Sequence, residues 1–153
     1  MTGPAERLAA LGLTLPPVTT PVAAYVPAVR TGAYVYVSGQ LPVVDGKLPA
    51  TGKVGDAVSA EDAAGMARTC ALNALAAAAS AAGGLAGIRR IVKVVGFVAS
   101  APGFGGQPQV INGASELLIE VFGEEGRHAR SAIGVAELPL NAPVEVELIA
   151  EVG

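Results

Sequence analysis

The sequence contains a single cysteine, Cys70, a single histidine, His128, and no tryptophan among its 153 residues. One cysteine cannot form a disulfide within the chain. Together with one histidine it leaves no plausible set of ligands for a transition metal. The sequence therefore favours a cytoplasmic protein that uses no metal and no cofactor.

Charge is also scarce, at 15% of residues, and the 10 basic and 13 acidic side chains give a net charge of −3 without any basic block. A nucleic-acid binder usually carries a basic patch, so we expect no nucleic-acid partner. The longest weakly polar run, CALNALAAAASAAGGLAG, is mostly alanine and is broken by polar residues and glycines. It is too polar for a membrane span, and the first 17 residues lack the features of a signal peptide.

Aliphatic residues dominate what remains. Hydrophobic residues make up 52% of the chain, yet Phe and Tyr number only three each, so Ala, Val, Leu and Ile must form the core. The length fits one domain, 1–153, which can bury roughly two thirds of its unfolded surface. An excess of apolar surface on a small protein also favours self-association.

The first half of the sequence predicts three strands and a long helix. Residues 22–29 and 33–38 resemble paired strands, and Asp45-Gly46 between apolar residues indicates a further hairpin. Ser59 followed by Asp62 resembles a helix N-cap, and Gly83-Gly84 ends a helix of roughly 23 residues. Cys70 falls on the apolar side of that helix and is predicted to be a core residue rather than a redox group.

The second half predicts a strand at 88–99, a helix at 110–122 and two strands at 130–136 and 144–152. The glycine-rich segment 100–108 lacks the lysine and hydroxyl of a phosphate-binding loop, so we interpret it as a connection. The predicted order is β-β-β-α-β-α-β-β. This is an α+β pattern in which the helices cover one face of a single sheet.

The last predicted strand separates its side chains by type. Val144 and every second residue after it are apolar, whereas Glu145, Glu147 and Glu151 alternate with them. Because side chains alternate across a strand, the apolar row should meet the helices and the acidic row should lie on the uncovered face. A carboxylate buried there against another subunit needs a cationic or hydrogen-bonding partner, and Arg130 is a candidate.

Four blocks of the sequence resemble the RidA/YjgF family of enamine/imine deaminases, older members of which were called endoribonuclease L-PSP. The blocks are Tyr25 with AYVYVSGQLP after it, VKVVGFVAS, INGASELL and HARSAIGVAELPLNAPVEVELIA. The resemblance runs from about Val22 to Val152 and leaves 1–21 as an N-terminal extension. It implies a chorismate-mutase-like subunit with two helices packed on one face of the sheet, which assembles as a homotrimer with clefts between subunits.

The resemblance also implies a site. The family's arginine and water-orienting glutamate fall on Arg130 and Glu145, and its substrate-binding positions fall on Tyr25, Ser38, Gly39, Asn112 and Ala132. The archetypal deaminases carry a cysteine where this chain has Ala132, which suggests a branch with a different natural substrate. His128 has no counterpart in the archetype, and a loop role is favoured over a general-base role.

The implied reaction is hydrolysis of a small carboxylate-bearing imine to a keto acid and ammonia. A guanidinium can hold a carboxylate by two parallel hydrogen bonds, and a glutamate can order the attacking water. Other interpretations stay open from the residues. Arg130 could be a structural interface residue, and Glu145 could be a solvated strand residue like Glu147. The whole chain could be a non-catalytic carboxylate-binding or sensing protein, or a ribonuclease as the older family label says.

Overall fold

The last strand of the chain lies at the centre of one five-stranded sheet. The computed structural model describes residues 2–21 and 23–153. The strands are β1 (Ala28–Thr31), β2 (Tyr34–Gln40), β3 (Ile88–Ala99), β4 (Ala129–Val135) and β5 (Val144–Val152), in the order β1-β2-β5-β3-β4. The helices are α1 (Pro4–Ala10), α2 (Ala60–Ala82) and α3 (Gln107–Phe122). The predicted α+β class is confirmed.

Strand direction follows from the connections. β3 and β4 run parallel because α3 crosses between them, while the other neighbouring strands pair antiparallel. β2 contains a bulge, in which Ser38 and Gly39 together oppose the single residue Glu147 of β5. A bulge of this kind bends a strand and re-aims its side chains. β4 forms one edge of the sheet.

Helices α2 and α3 pack against each other on one face of the sheet, as predicted. Ser59 accepts a hydrogen bond from the Asp62 amide (3.1 Å), and Gly83 ends α2 in the left-handed conformation at φ 79°. The predicted 23-residue helix is therefore confirmed with both of its ends. Cys70 is fully buried, and burial raises the pKa of its thiol well above the usual value, which fits its predicted place in the core.

No helix of the described residues packs on the opposite face of the sheet. The apolar row of β5 is buried against the helices, while Glu145, Glu147, Ile149 and Glu151 alternate with it and are half-buried. Large apolar side chains of β2 and β4 on this face, including Tyr34, Tyr36 and Ile133, are more than 40% exposed. The predicted separation of apolar and acidic rows is confirmed, and the helix-free face, hereafter the open face, is rich in apolar surface.

Two local predictions were wrong, and one helix was missed. The first strand begins at Ala28 and not at residue 22; residues 23–27 form turns that end at Pro27, and Val22 lies outside the described residues. The Asp45-Gly46 turn exists, but it joins only the isolated bridge Val44–Lys47 and adds no third strand before α2. The sequence reading also missed α1, a seven-residue helix that contacts α3 and buries Leu8.

No helix among the described residues is long and apolar enough to cross a membrane.

A tight turn before β5 holds a leucine in an unfavourable conformation. Leu140 and Asn141 both have positive φ (59° and 58°), and the Ala142 amide bonds the Pro139 carbonyl oxygen at 3.1 Å. This is the geometry of a type I′ turn, which favours Asn and Gly over Leu. Leu140 is also 75% exposed, so in this chain it gains little from burial.

We therefore expect Leu140→Asn to raise the free energy of unfolding by about 1 kcal/mol, because asparagine tolerates the left-handed region. The measurement is the urea midpoint of the two proteins at the same concentration. A loss of stability would instead show that Leu140 is buried against another chain.

Candidate functional site

Arg130 lies on the edge strand β4, and its side chain reaches the first half of α3. Its Nη1 donates to Asn112 Oδ1 (2.7 Å) and to Ser115 Oγ (3.2 Å), and its Nη2 donates to the Pro108 carbonyl oxygen (3.4 Å). Arg130 pairs in register with Val94, a core residue, so both side chains point to the helix-covered face. The sequence predicted Arg130 and Asn112 separately, and the structure brings them into contact.

The guanidinium retains donor capacity after these three bonds. Among the described residues, Nε of Arg130 has no hydrogen-bond partner, and the ion pairs found there do not include Arg130. Arg130 lies in an open depression of about 250 Å³ together with Ser115, Ile119, Arg127 and His128. An arginine that is held in place and whose charge is not neutralised by a carboxylate of the same chain is suited to bind an external anion.

His128 lies behind Arg130 in the same depression. Its Nδ1 is 2.6 Å from the Gly126 carbonyl oxygen and its Nε2 is 2.9 Å from Ser115 Oγ. Burial lowers the pKa of His128, and the positive charge of Arg130 lowers it further, while the bond to Gly126 acts in the opposite direction. The ring is therefore neutral at neutral pH.

Ala132 follows Arg130 by two residues and shares its face of β4. It is half-buried and packs against the hydrophobic core. Because its side chain is a methyl group, any polar contact from this position to a ligand must come from its backbone. The side chain at this position therefore offers only apolar surface.

Glu145, the predicted water-orienting residue, lies on the open face of β5. Its carboxylate covers Gly39 so closely that a Cβ atom at position 39 would overlap Glu145 Oε1. Gly39 belongs to the β2 bulge, so the missing side chain there makes room for the carboxylate. Burial raises the pKa of Glu145, and repulsion by Glu147 raises it further.

Ser38 precedes Gly39 in the bulge, and Tyr25 lies beside Gly39. Ser38 Oγ donates to the Val26 carbonyl oxygen (2.6 Å), which holds the segment before β1 against β2. Tyr25 is 56% exposed and lines a small depression of about 150 Å³ with Gly39 and Leu140, and Thr19 and Pro21 of the N-terminal segment also line it. This segment therefore contacts one part of the candidate site.

The seven predicted residues thus form two groups in one chain. Arg130, Asn112 and Ala132 lie at the β4 edge on the helix-covered face, whereas Glu145 and Ser38-Gly39 of the bulge, with Tyr25, lie at β5 and β2. Glu145 pairs with Phe97 of β3, and Phe97 pairs with the exposed Ile133 of β4, so these three side chains share the open face. Arg130 lies three residues before Ile133 on the same strand, so its side chain points to the opposite face of the sheet. The two groups do not meet within a single chain.

Sequence reasoning missed Ser115 and Leu140. Ser115 follows Asn112 by three residues on a helix, so the two side chains share one face, and this spacing was the available signal. Leu140 gave no such signal, because its exposure depends on the conformation of the turn. Among the described residues, no group of three or more His, Cys, Asp and Glu side chains could hold a metal ion.

The raised pKa of Glu145 predicts a pH effect on stability. A carboxyl group whose pKa is higher in the folded than in the unfolded protein stabilises the fold below its unfolded pKa, and this contribution is lost as the pH rises through the folded pKa. At neutral pH we therefore expect Glu145→Gln to be more stable than wild type, by less than about 1 kcal/mol because solvent screens the half-exposed group.

Urea unfolding from pH 4 to pH 8 checks this expectation. The advantage of Glu145→Gln should grow as the pH rises, and it should shrink in a Glu147→Gln background, where one cause of the raised pKa is gone. A constant difference across this pH range would contradict the assignment.

The chain is similar to known proteins over nearly its whole length. A family model described as "YjgF/chorismate_mutase-like, putative endoribonuclease" matches residues 5–152. Protein TCP17 of Trypanosoma cruzi is 44% identical over 148 residues, which cover 96% of this chain and 92% of TCP17.

Two crystal structures are also similar over more than nine tenths of each chain. Atu1372 of Agrobacterium tumefaciens, a protein with unknown function, has a TM-score of 0.91 and 49% identity, covering 98% of this chain and 92% of Atu1372. A "putative endoribonuclease" of Shewanella oneidensis MR-1 has a TM-score of 0.95 and 35% identity, covering 99% of this chain and 100% of the other.

Proposed function

Because the chain belongs to the YjgF/chorismate mutase-like family, we propose that it hydrolyses enamine or imine intermediates to keto acids and ammonia. The proposed enzyme is a homotrimer of the cytoplasm whose sites lie between subunits. Its substrates are small imino acids, which carry a carboxylate next to the imine carbon.

The observation that carries the proposal is the state of Arg130. Three bonds to α3 fix its guanidinium, while Nε has no partner and no carboxylate of the described residues neutralises the charge. A guanidinium fixed in this way can hold a carboxylate by two parallel hydrogen bonds and so fix the orientation of the imine.

The separation of the two groups supports an inter-subunit site. Arg130 lies at an edge of the sheet and Glu145 on the open face, whose exposed apolar side chains suit contact with another copy of the chain. In the proposed trimer, one subunit contributes Tyr25, Ser38, Gly39 and Glu145, and its neighbour contributes Arg130, Asn112 and Ala132. In a closed ring of three subunits, each of these surfaces is in contact with a neighbouring subunit.

Glu145 is the proposed water-positioning group. It accepts a hydrogen bond from a water that attacks the imine carbon, and its raised pKa makes the carboxylate a better proton acceptor. The carbinolamine then loses ammonia, so an imino acid and water yield a keto acid and ammonia. Imines also hydrolyse unaided in water, so only a modest lowering of the barrier is required.

The first experiment measures keto-acid formation from imino acids generated in situ by an amino-acid oxidase, with semicarbazide to trap free imine. Wild type should compete with semicarbazide and raise the rate of keto-acid formation, whereas Glu145→Ala should not. If the protein accelerates hydrolysis of no substrate in a broad panel, the hydrolase proposal fails. Tight binding of carboxylates without turnover would then favour a sensing protein.

A mixing experiment tests whether two chains build each site. Arg130→Ala and Glu145→Ala should each be inactive alone. Trimers reassembled from equal amounts of the two variants should regain about a quarter of wild-type activity, because one cleft in four then receives both intact residues. The absence of any recovery in verified mixed trimers would contradict a site shared between subunits.

A further inference from the structure

His128 has no role in the hydrolysis proposed above, yet it forms a continuous hydrogen-bonded chain with Ser115 and Arg130. The chain runs from the Gly126 carbonyl oxygen through the imidazole to Ser115 Oγ and on to Arg130 Nη1, with distances of 2.6, 2.9 and 3.2 Å. The Ser115 side chain is almost fully buried. Such a chain is costly to leave half-satisfied, so its members hold one another in place.

The direction of every bond follows from the chemistry of the groups. A carbonyl oxygen only accepts, so His128 Nδ1 must carry a proton and donate it to Gly126. In the neutral ring Nε2 is then an acceptor, so the Ser115 hydroxyl donates its only hydrogen to it. The lone pairs of Ser115 Oγ remain free to accept the Nη1–H of Arg130.

We propose that Ser115 and His128 are positioning residues for Arg130: the neutral imidazole orients the serine hydroxyl, and the oriented hydroxyl fixes the guanidinium with its Nε–H left for the substrate carboxylate. Asn112 fixes the same Nη1 from a second side. This inference rests on the proposed function in that Arg130 binds a carboxylate.

Protonation of His128 disturbs this series of hydrogen bonds. An imidazolium donates from both nitrogens, so Ser115 Oγ would face two donors and its own hydrogen would need another acceptor. The depression also holds Arg130 and Arg127, and α3 contributes only the uncharged Ser115 and Ile119 to it. The carboxylates of the turn before His128 are engaged elsewhere, Glu124 with Arg127 and Glu125 with Arg90.

Because the guanidinium is fixed only while the imidazole is neutral, a carboxylate should bind more tightly to the protein with neutral His128. Ligand binding should therefore lower the pKa of His128, and by linkage the ligand should bind less tightly as the pH falls through that pKa. A purely structural histidine without contact to the anion site would not respond to the ligand.

The test uses NMR and calorimetry on the intact protein. Because the chain has one histidine, its ring ¹⁵N signals need no assignment by mutation. Wild type should show the neutral Nδ1–H tautomer at pH 7.5, and saturating 2-oxobutanoate, a keto-acid product of the proposed class, should lower the pKa of His128. An Nε2–H tautomer, or a pKa that bound 2-oxobutanoate leaves unchanged or raises, would overturn the inference.

Affinity measurements on variants complete the test. Ser115→Ala should weaken 2-oxobutanoate binding about tenfold, since it removes a bond to a charged group. Ser80→Ala is the matched control, because Ser80 is also a helical serine but bonds only its own helix at Ala77. Normal wild-type binding with unchanged affinity in Ser115→Ala would overturn this inference alone. No binding to wild type would overturn the role of Arg130, and the proposed function with it.

Discussion

Replacing Arg130 with lysine is expected to lower kcat/KM for imino-acid hydrolysis by about a hundredfold, although the positive charge is kept. An ammonium offers no planar pair of donors to a carboxylate. It has three hydrogens, so a lysine that bonded Asn112, Ser115 and the Pro108 carbonyl oxygen would have none left for the substrate. The substrate would then bind in several orientations, few of which present the imine carbon to the water.

The oxidase-coupled assay at several substrate concentrations separates the two kinetic constants. Arg68→Lys is the matched control, because Arg68 forms an exposed ion pair with Glu120 and bonds neither Arg130 nor the residues that hold it. We expect this variant to keep wild-type activity within about twofold. Nearly full activity of Arg130→Lys would show that positive charge alone suffices and that the fixed guanidinium geometry is unimportant.

Local signals in the sequence predict most of the fold. The N-cap at Ser59, the glycines after residue 82 and the alternation along β5 each depend on neighbouring residues, and each prediction was confirmed. The first strand was misplaced because residues 23–27 look like a strand in composition but end at Pro27. α1 was missed because its seven residues are too few to show a helical period, and contact with α3 stabilises it.

The candidate site was predictable only in part. The four family blocks predict Arg130 and Glu145 as site residues. No local sequence pattern shows that these two side chains point to opposite faces of the sheet. That fact depends on the strand order and on the register between β3, β4 and β5. The hydrogen bonds of His128 were likewise beyond a sequence reading, since they depend on how the turn at Gly123–Gly126 brings the ring to α3.

Gly113→Ala is expected to lower the free energy of unfolding by about 2 kcal/mol, although alanine normally favours a helix over glycine. A Cβ atom at position 113 would overlap the Ala64 carbonyl oxygen of α2. That atom belongs to a helix backbone and cannot rotate away, so α3 must move out from α2. The overpacking cost then exceeds the gain in helix propensity of about 1 kcal/mol.

Gly65→Ala is the matched control within the same pair of helices. Gly65 also lies inside a helix, but nothing lies within 4 Å of a Cβ atom there, so this variant should gain about 0.5–1 kcal/mol. Urea unfolding of both variants measures the opposite signs. Gly113 stands between Asn112 and Ser115, the two side chains that hold Arg130. A displaced α3 should therefore also weaken 2-oxobutanoate binding, whereas equal stabilities of the two variants would show that the helices separate freely.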